Sequence, residues 1–222
     1  MYFIMLCVLC YVLCGLFGLC IGSFLNVLVD RLPQEKSIFG RSYCPYCKKK
    51  LQWRELIPLF SFILLKRKCS ACGKKISWQY PLVEIATGLL FLFTTHNLQL
   101  TTRNLKDLSL LCCLLFIASC LIVIFVTDLK YMIVPNEIIY PAIVAAFLYQ
   151  LLQLTIHGFQ LSDFKPLGVA LLSGILASSF FFFFILLSKG KWMGWGNFAS
   201  PGFMGILLSF PGVLIAILIA FV

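Results

Sequence analysis

The chain has 222 residues, of which 61% are hydrophobic and only 12% are charged, and its mean hydropathy is +1.00. A water-soluble domain of this length cannot bury so much apolar surface, so the composition excludes a soluble protein and makes lipid the solvent for most of the chain. The formal net charge is +10 and is concentrated, because 12 of the 18 Lys and Arg residues lie within 30–80.

Six apolar segments are long enough to cross a membrane as helices, which takes about 20 residues each. In chain order they are 3–28, 81–100, 108–127, 138–156, 166–188 and 202–222. The second is the weakest, since Glu84, His96 and Asn97 interrupt it. We therefore predict an all-α polytopic membrane protein with a first transmembrane helix, a basic cytoplasmic loop and a transmembrane bundle, at 1–29, 30–80 and 81–222 respectively.

The basic loop 30–80 sets the topology, because an excess of Lys and Arg marks a loop as cytoplasmic. The N-terminus then lies outside, and the connections at 128–137 and 189–201 share the cytoplasmic side with the basic loop. Nucleic-acid binding is a rival interpretation of a basic patch, but a loop tethered between spans more often reflects topology or contact with anionic lipid. The first span lacks a basic segment before it and is too long for the apolar part of a signal peptide. We therefore expect it to be a true transmembrane helix and not a cleaved signal peptide.

Four cysteines in the basic loop form two C-x-x-C pairs, Cys44 with Cys47 and Cys69 with Cys72, with 21 residues between the pairs. Each pair makes a tight turn that directs two thiolates to one point, and two pairs supply the four ligands of a tetrahedral structural zinc site. The surrounding lysines favour thiolate over thiol and offset the negative charge of such a centre. Disulfides are disfavoured in a reducing cytoplasm, whereas an iron centre with the same ligands is not excluded by the spacing. We predict zinc, which would replace a hydrophobic core in shaping the loop.

Two acids lie near predicted membrane boundaries. Asp128 directly follows the third span, and Glu84 lies near the start of the second. An ionisable residue at such a position is either an interfacial residue, often paired with a base, or a functional group. Further along, the segment 193–198 has Gly194 and Gly196 on either side of a tryptophan, which permits a sharp turn or a close backbone approach. None of these features identifies an activity by itself.

In combination and in order, these features resemble the type IV prepilin peptidases, the bifunctional leader peptidase and N-methyltransferase enzymes of pilus, type II secretion and competence systems. The resemblance covers nearly the whole chain. It is carried by the end of the first span, the two cysteine pairs, the entry to the second span and the segment after the third, namely 22–33, 44–72, 76–84 and 128–136.

The resemblance implies two catalytic aspartates, of which Asp128 matches the first. The second belongs to a G-x-G-D motif that aligns with residues 194–197, so Asn197 stands where the family has aspartate. An amide cannot accept and return the proton that two carboxyls share in an aspartic peptidase, so we predict impaired peptide cleavage. The chain also ends inside an apolar run where family members usually continue, which suggests a shortened C-terminus.

The implied function is an aspartic-type endopeptidase that removes leader peptides from type IV prepilin-like proteins at the cytoplasmic face of the bacterial inner membrane. Glu84, Gly194 and Gly196 are the expected substrate-contacting positions. A second implied activity methylates the new N-terminus with S-adenosylmethionine, although no nucleotide-binding glycine motif is visible. The expected partners are pilin-like proteins and membrane lipid, and not nucleic acid.

Two alternatives remain at this point. One is a catalytically inactive relative that binds pilin-like helices as an assembly factor. The other is a membrane transporter, which would need more polar groups along the spans than this sequence offers.

Overall fold

The computed structural model describes residues 2–97, 105–157, 164–188 and 199–221. These residues form seven α-helices, α1 to α7, at Tyr2–Arg31, Phe60–Leu64, Gln79–Asn97, Leu105–Tyr131, Asn136–His157, Phe164–Ser188 and Ala199–Phe221. Two 3₁₀ turns, Leu32–Gln34 and Trp53–Leu56, lie between α1 and α2. Within these residues the only β-structure is a pair of isolated bridges. The predicted all-α class is confirmed.

Five of the described helices are long and apolar enough to cross a membrane, over Leu9–Gln34, Asp107–Tyr131, Asn136–Thr155, Lys165–Ser188 and Ala199–Ala216. The predicted second span corresponds to α3, which forms a helix of 19 residues but is not among the five. Its polar residues Glu84, His96 and Asn97 give the physical reason, because they lower the apolar content of an already short helix.

The chain divides into two compact units. The first comprises Met1–Thr101 and Leu121–Ile133, and the second comprises Thr102–Cys120 and Val134–Val222. The first unit holds α1, the cysteine pairs, α3 and the end of α4 with Asp128. The second holds the start of α4 and helices α5 to α7.

In the first unit, α1 and α3 run antiparallel with their backbones in direct contact. A Cβ atom added to Gly18 would lie 2.9 Å from the Cα of Gly88, and one added to Gly22 would lie 2.7 Å from the Cα of Glu84. Both distances are shorter than carbon atoms tolerate, so only glycine permits this approach. The contact continues the full length of α3 and therefore places that helix alongside the apolar part of α1.

In the second unit, α6 and α7 make a similarly close contact. A Cβ atom on Gly205 would lie 2.6 Å from the Cα of Gly174. The side chain of Gln150 on α5 donates a hydrogen bond to the carbonyl of Ile206 at 2.9 Å and joins the third helix to this pair. Helix α7 is kinked, with non-helical backbone angles at Ser209 just before a proline.

Candidate functional site

The four predicted metal ligands come together. The sulfur atoms of Cys44, Cys47, Cys69 and Cys72 all lie within 4.8 Å of one another, with Cys44 3.9 Å from Cys72 and Cys47 4.0 Å from Cys69. Four sulfurs bound tetrahedrally to Zn²⁺ at about 2.3 Å would be roughly 3.8 Å apart. A disulfide needs a separation of about 2.05 Å. The donor set therefore fits a tetrahedral metal ion and not a pair of disulfides.

The two cysteine pairs are built alike, and we call residues 43–50 and 68–75 the first and second knuckle. Each is closed by an isolated antiparallel bridge between its first and last residues. In both, the N–H of the first cysteine donates to the carbonyl five residues later, at 2.9 Å. The residue after the second cysteine has a positive φ in each knuckle, 58° at Lys48 and 67° at Gly73. This turn directs both thiols of a knuckle to the same side.

Glu55 joins the two knuckles, which the sequence did not reveal. Its carboxylate accepts hydrogen bonds from Lys49 of the first knuckle at 3.4 Å and from the hydroxyl of Ser70 in the second. The other carboxylate oxygen accepts from the backbone N–H of Gln52 at 2.8 Å and caps the 3₁₀ turn. The hydrogen bond from Ser70, followed by that from Gln52, lowers the pKa of Glu55. A charged Glu55 is therefore part of the folded metal site.

The thiols of the second knuckle have opposite pKa shifts. The backbone N–H groups of Cys72 and Ala71 lower the pKa of Cys69 to about 6. The backbone N–H of Lys74 also favours the thiolate of Cys72, but desolvation and the neighbouring thiols outweigh it and raise the pKa of Cys72 to about 11. Neighbouring thiolates repel one another, so the four sulfurs cannot all be deprotonated without a nearby cation. A metal ion bound between them would supply that positive charge.

Glu84 is buried on α3, with 7% of its surface exposed. One of its carboxylate oxygens accepts a hydrogen bond from the backbone N–H of Leu59 at 2.8 Å, and Ser23 of α1 also donates to the carboxylate. One turn away, the amide nitrogen of Asn26 donates to the carbonyl of Tyr80 at 3.0 Å. Glu84 thus links the chain just before α2 to the paired helices α1 and α3.

Asp128 lies in the last turn of α4 and its side chain is exposed. Its neighbour Lys130 does not pair with it but with Asp30 of α1, at 2.7 Å. The hydroxyl of Tyr80 on α3 donates to the other oxygen of Asp30, also at 2.7 Å. Asp30 therefore ties the end of α4, where Asp128 is located, to both α1 and α3. No pattern in the sequence distinguishes Asp30 as a residue of this kind.

The remaining predicted site residues are Gly194, Gly196 and Asn197. All three lie outside the residues that the structure describes. The structure thus places Asp128, Glu84 and the four cysteines in the first unit, whereas the pairing of Asp128 with position 197 stays a prediction.

Two family models match the chain. The one described as the bacterial Peptidase A24 N-terminal domain matches residues 16–98, and the type IV leader peptidase family matches residues 115–222. The first match includes both knuckles and Glu84, and the second includes Asp128 and position 197.

Several relatives named prepilin leader peptidase/N-methyltransferase are similar to the chain. The protein of Klebsiella pneumoniae is 33% identical over 195 residues, which cover 80% of this chain and 82% of that protein. The protein of Vibrio cholerae serotype O1 is 31% identical over 186 residues, covering 79% and 71% respectively. That of Myxococcus xanthus is 40% identical over 129 residues, or 58% of this chain and 36% of that protein. No solved structure matches the chain significantly.

Proposed function

Because the chain belongs to the type IV leader peptidase family, we propose that it processes type IV prepilin-like proteins by removing their leader peptides at the cytoplasmic face of a bacterial inner membrane. The observation that carries this proposal is the position of Asp128, an exposed carboxyl group at the end of a membrane-crossing helix. A leader peptide that emerges from the membrane beside this helix end would present its scissile bond to that carboxyl group.

In the proposed reaction, Asp128 is one of two acids that act on water and the peptide carbonyl. One carboxylate takes a proton from water as the oxygen attacks the carbonyl carbon, while the second acid protonates the carbonyl oxygen. Position 197 would supply the second acid, but Asn197 holds no carboxyl proton to give or recover. We therefore expect the chain to cleave its substrate far more slowly than a version with aspartate at 197.

Glu84, Gly194 and Gly196 are proposed to contact the substrate. Support for Glu84 comes from its burial beside α1 and from the single backbone hydrogen bond that Leu59 makes to one carboxylate oxygen. Among the described residues no base pairs with this carboxylate, and a buried carboxylate without a cationic partner favours an incoming N–H or ammonium group. The two glycines would let a substrate backbone approach closely.

Two cofactors accompany this proposal. Cys44, Cys47, Cys69 and Cys72 would hold a Zn²⁺ ion, which when bound supplies a structural cross-link between the knuckles, because all four positions are filled by protein. The relatives carry N-methyltransferase in their names. On that basis we include methylation of the mature N-terminus, with S-adenosylmethionine as donor, in the proposal.

The proposed topology places the N-terminus outside the cytoplasm. It divides the chain into a first transmembrane helix, a cytoplasmic zinc-binding loop and a catalytic bundle, at 1–29, 30–80 and 81–222. The support is the concentration of Lys and Arg in 30–80, between two helices that pack along each other.

A second candidate function is that of an inactive relative that binds pilin-like helices without cutting them. The observation that favours it is Asn197 in place of the second catalytic aspartate. Binding of the substrate helix does not need the carboxyl proton, so it would survive this replacement.

The test compares the chain with its Asn197→Asp form, both in liposomes with a prepilin-like substrate, and with a double variant that also carries Asp128→Asn. We expect cleavage by the Asn197→Asp form alone. Substrate capture without cleavage by the unaltered chain would then support the second candidate. Equal cleavage by the chain and its Asn197→Asp form would show that position 197 is not the second acid.

A further inference from the structure

Helix α2 in the basic loop has one apolar face without a partner in its own unit. Phe60, Ile63 and Leu64 follow the spacing of one helix face and are 64%, 72% and 69% exposed. The opposite side is packed, since the ring of Phe62 lies 5.2 Å from that of Trp78 at the start of α3. The contact with Trp78 orients α2 so that its most apolar side chains are directed away from the rest of the first unit.

The start of α2 lies beside the paired helices α1 and α3. Leu59, the residue before α2, donates its N–H to the carboxylate of Glu84 at 2.8 Å. Glu84 lies five residues beyond Gln79, where α3 begins, which corresponds to about 7.5 Å along the helix axis. At the level of Glu84, α3 contacts the membrane-crossing part of α1 through Gly22. The chain thus returns to the part of α3 that packs on the apolar segment of α1 before α2 starts.

Cations follow the apolar face. Lys66, Arg67 and Lys68 begin two residues after the last residue of the helix, and among the described residues none of the three pairs with a carboxylate. The guanidinium of Arg67 lies over the ring of Trp78 at 4.8 Å, which holds positive charge at the start of α3. Residues 48–75 contain nine Lys and Arg and a single acid, Glu55, whose carboxylate is already used between the knuckles.

We propose that residues 59–68 form an interfacial anchor that binds anionic phospholipid. The apolar face of α2 enters the outer acyl-chain region, and Lys66 and Lys68 contact the headgroup phosphates above it. An apolar helix face beside a cluster of cations is the arrangement that binds anionic leaflets. The anchor holds the cysteine loop against the membrane and does not depend on peptidase activity.

The depth of α2 is tested on the full chain, loaded with zinc, in nanodiscs that contain phosphatidylglycerol. Ile63 is replaced by the photocrosslinking residue p-benzoylphenylalanine, and the matched control carries it at Tyr46, which is exposed at the first knuckle. We expect lipid adducts at 63 and few at 46. Adducts from 63 to a second copy or to another part of the chain would overturn the proposal, as would equal lipid labelling at both positions.

The headgroup preference is tested in the same chain with Lys66→Gln and Lys68→Gln together, against a control with Lys48→Gln and Lys50→Gln, two exposed lysines of the first knuckle. We expect lipid labelling at Ile63 to be several-fold higher with phosphatidylglycerol than with phosphatidylcholine alone. Loss of the first pair should remove most of that preference, and loss of the second should change it little. Equal effects of both pairs, or no lipid preference, would overturn the role of the two lysines. The zinc content of each variant is measured to check that its cysteine loop is folded.

Discussion

Asp30 and Lys130 are 100 positions apart in the chain, yet the Lys130 ammonium group donates to the Asp30 carboxylate at 2.7 Å. Lys130 lies two residues after Asp128, and Asp30 lies one residue before the end of α1. The contact fixes the end of α4 against α1, so the position of the proposed catalytic acid depends on a residue that takes no part in the reaction.

We expect Asp30→Asn to lower the free energy of unfolding by about 0.5–1 kcal/mol, because the ion pair is partly solvent-exposed. Thermal unfolding in detergent measures the effect. The control is Glu35→Gln, which alters an exposed acid nearby that makes no ion pair among the described residues. If both variants unfold alike, the contact between Asp30 and Lys130 does not hold the helix end.

The close approach of α1 and α3 makes Gly22 sensitive to a single methyl group. We expect Gly22→Ala to lower the free energy of unfolding by about 1–3 kcal/mol, because the added Cβ meets the backbone of Glu84 and the helices must separate. Gly168→Ala is the matched control, since a Cβ there meets nothing within 4 Å, and alanine favours a helix. A Gly22→Ala protein as stable as this control would contradict the described packing.

Metal binding is predicted to need all four thiols. We expect about one zinc ion per chain in the purified protein and almost none in Cys72→Ser, because three thiolates leave the tetrahedral site incomplete. Cys112→Ser is the control, as Cys112 is an exposed thiol on α4 outside the cluster. Elemental analysis gives the zinc content, and proteolysis of the 30–80 loop reports its folding. Full zinc content in Cys72→Ser would rule out the four-sulfur site.

Glu55 is predicted to make zinc retention depend on pH. Its pKa is lower in the folded loop than in the unfolded chain, so its stabilising effect is complete above the unfolded value, about 4.3, and is lost as the pH falls through the folded value. Transfer of zinc to a chelator should therefore be faster in Glu55→Gln than in the unaltered chain at pH 7. The difference between the two should stay constant down to about pH 4.3 and shrink only below it, as the pH falls toward the folded value. A difference that has already disappeared at pH 5 would show that the charge of Glu55 is not its cause.

The sequence predicted the class of fold, the long apolar helices and the clustering of the four cysteines because these follow from local patterns. Long apolar runs predict spans, and the C-x-x-C spacing alone brings two sulfurs to one side of a turn. The weakest predicted span is also the helix, α3, that falls outside the five membrane-crossing candidates. The sequence indicates Glu84 as a candidate functional residue, but it does not predict the hydrogen bond from the backbone N–H of Leu59 to its carboxylate.

The contacts that the sequence did not reveal join residues far apart in the chain. Asp30 meets Lys130 only because α1 and the end of α4 fold together, and Glu55 meets Ser70 only once both knuckles have formed. Nothing in the sequence around Asp30 or Glu55 distinguishes either residue from an ordinary solvent-exposed acid. Helix α2 was missed for another reason, since five residues are too few to show a periodic pattern.

The two knuckles differ at one backbone position, and this difference affects how readily each pair of cysteines can hold a metal ion. Gly73 adopts its φ of 67° freely, whereas Lys48 holds a φ of 58° that costs a residue with a Cβ atom about 1 kcal/mol. Before any ion arrives, the turn that presents Cys69 and Cys72 is therefore populated more often than the other. Cys69 and Cys72 would therefore need less rearrangement to hold a metal ion than Cys44 and Cys47, whose turn requires the less favourable backbone of Lys48.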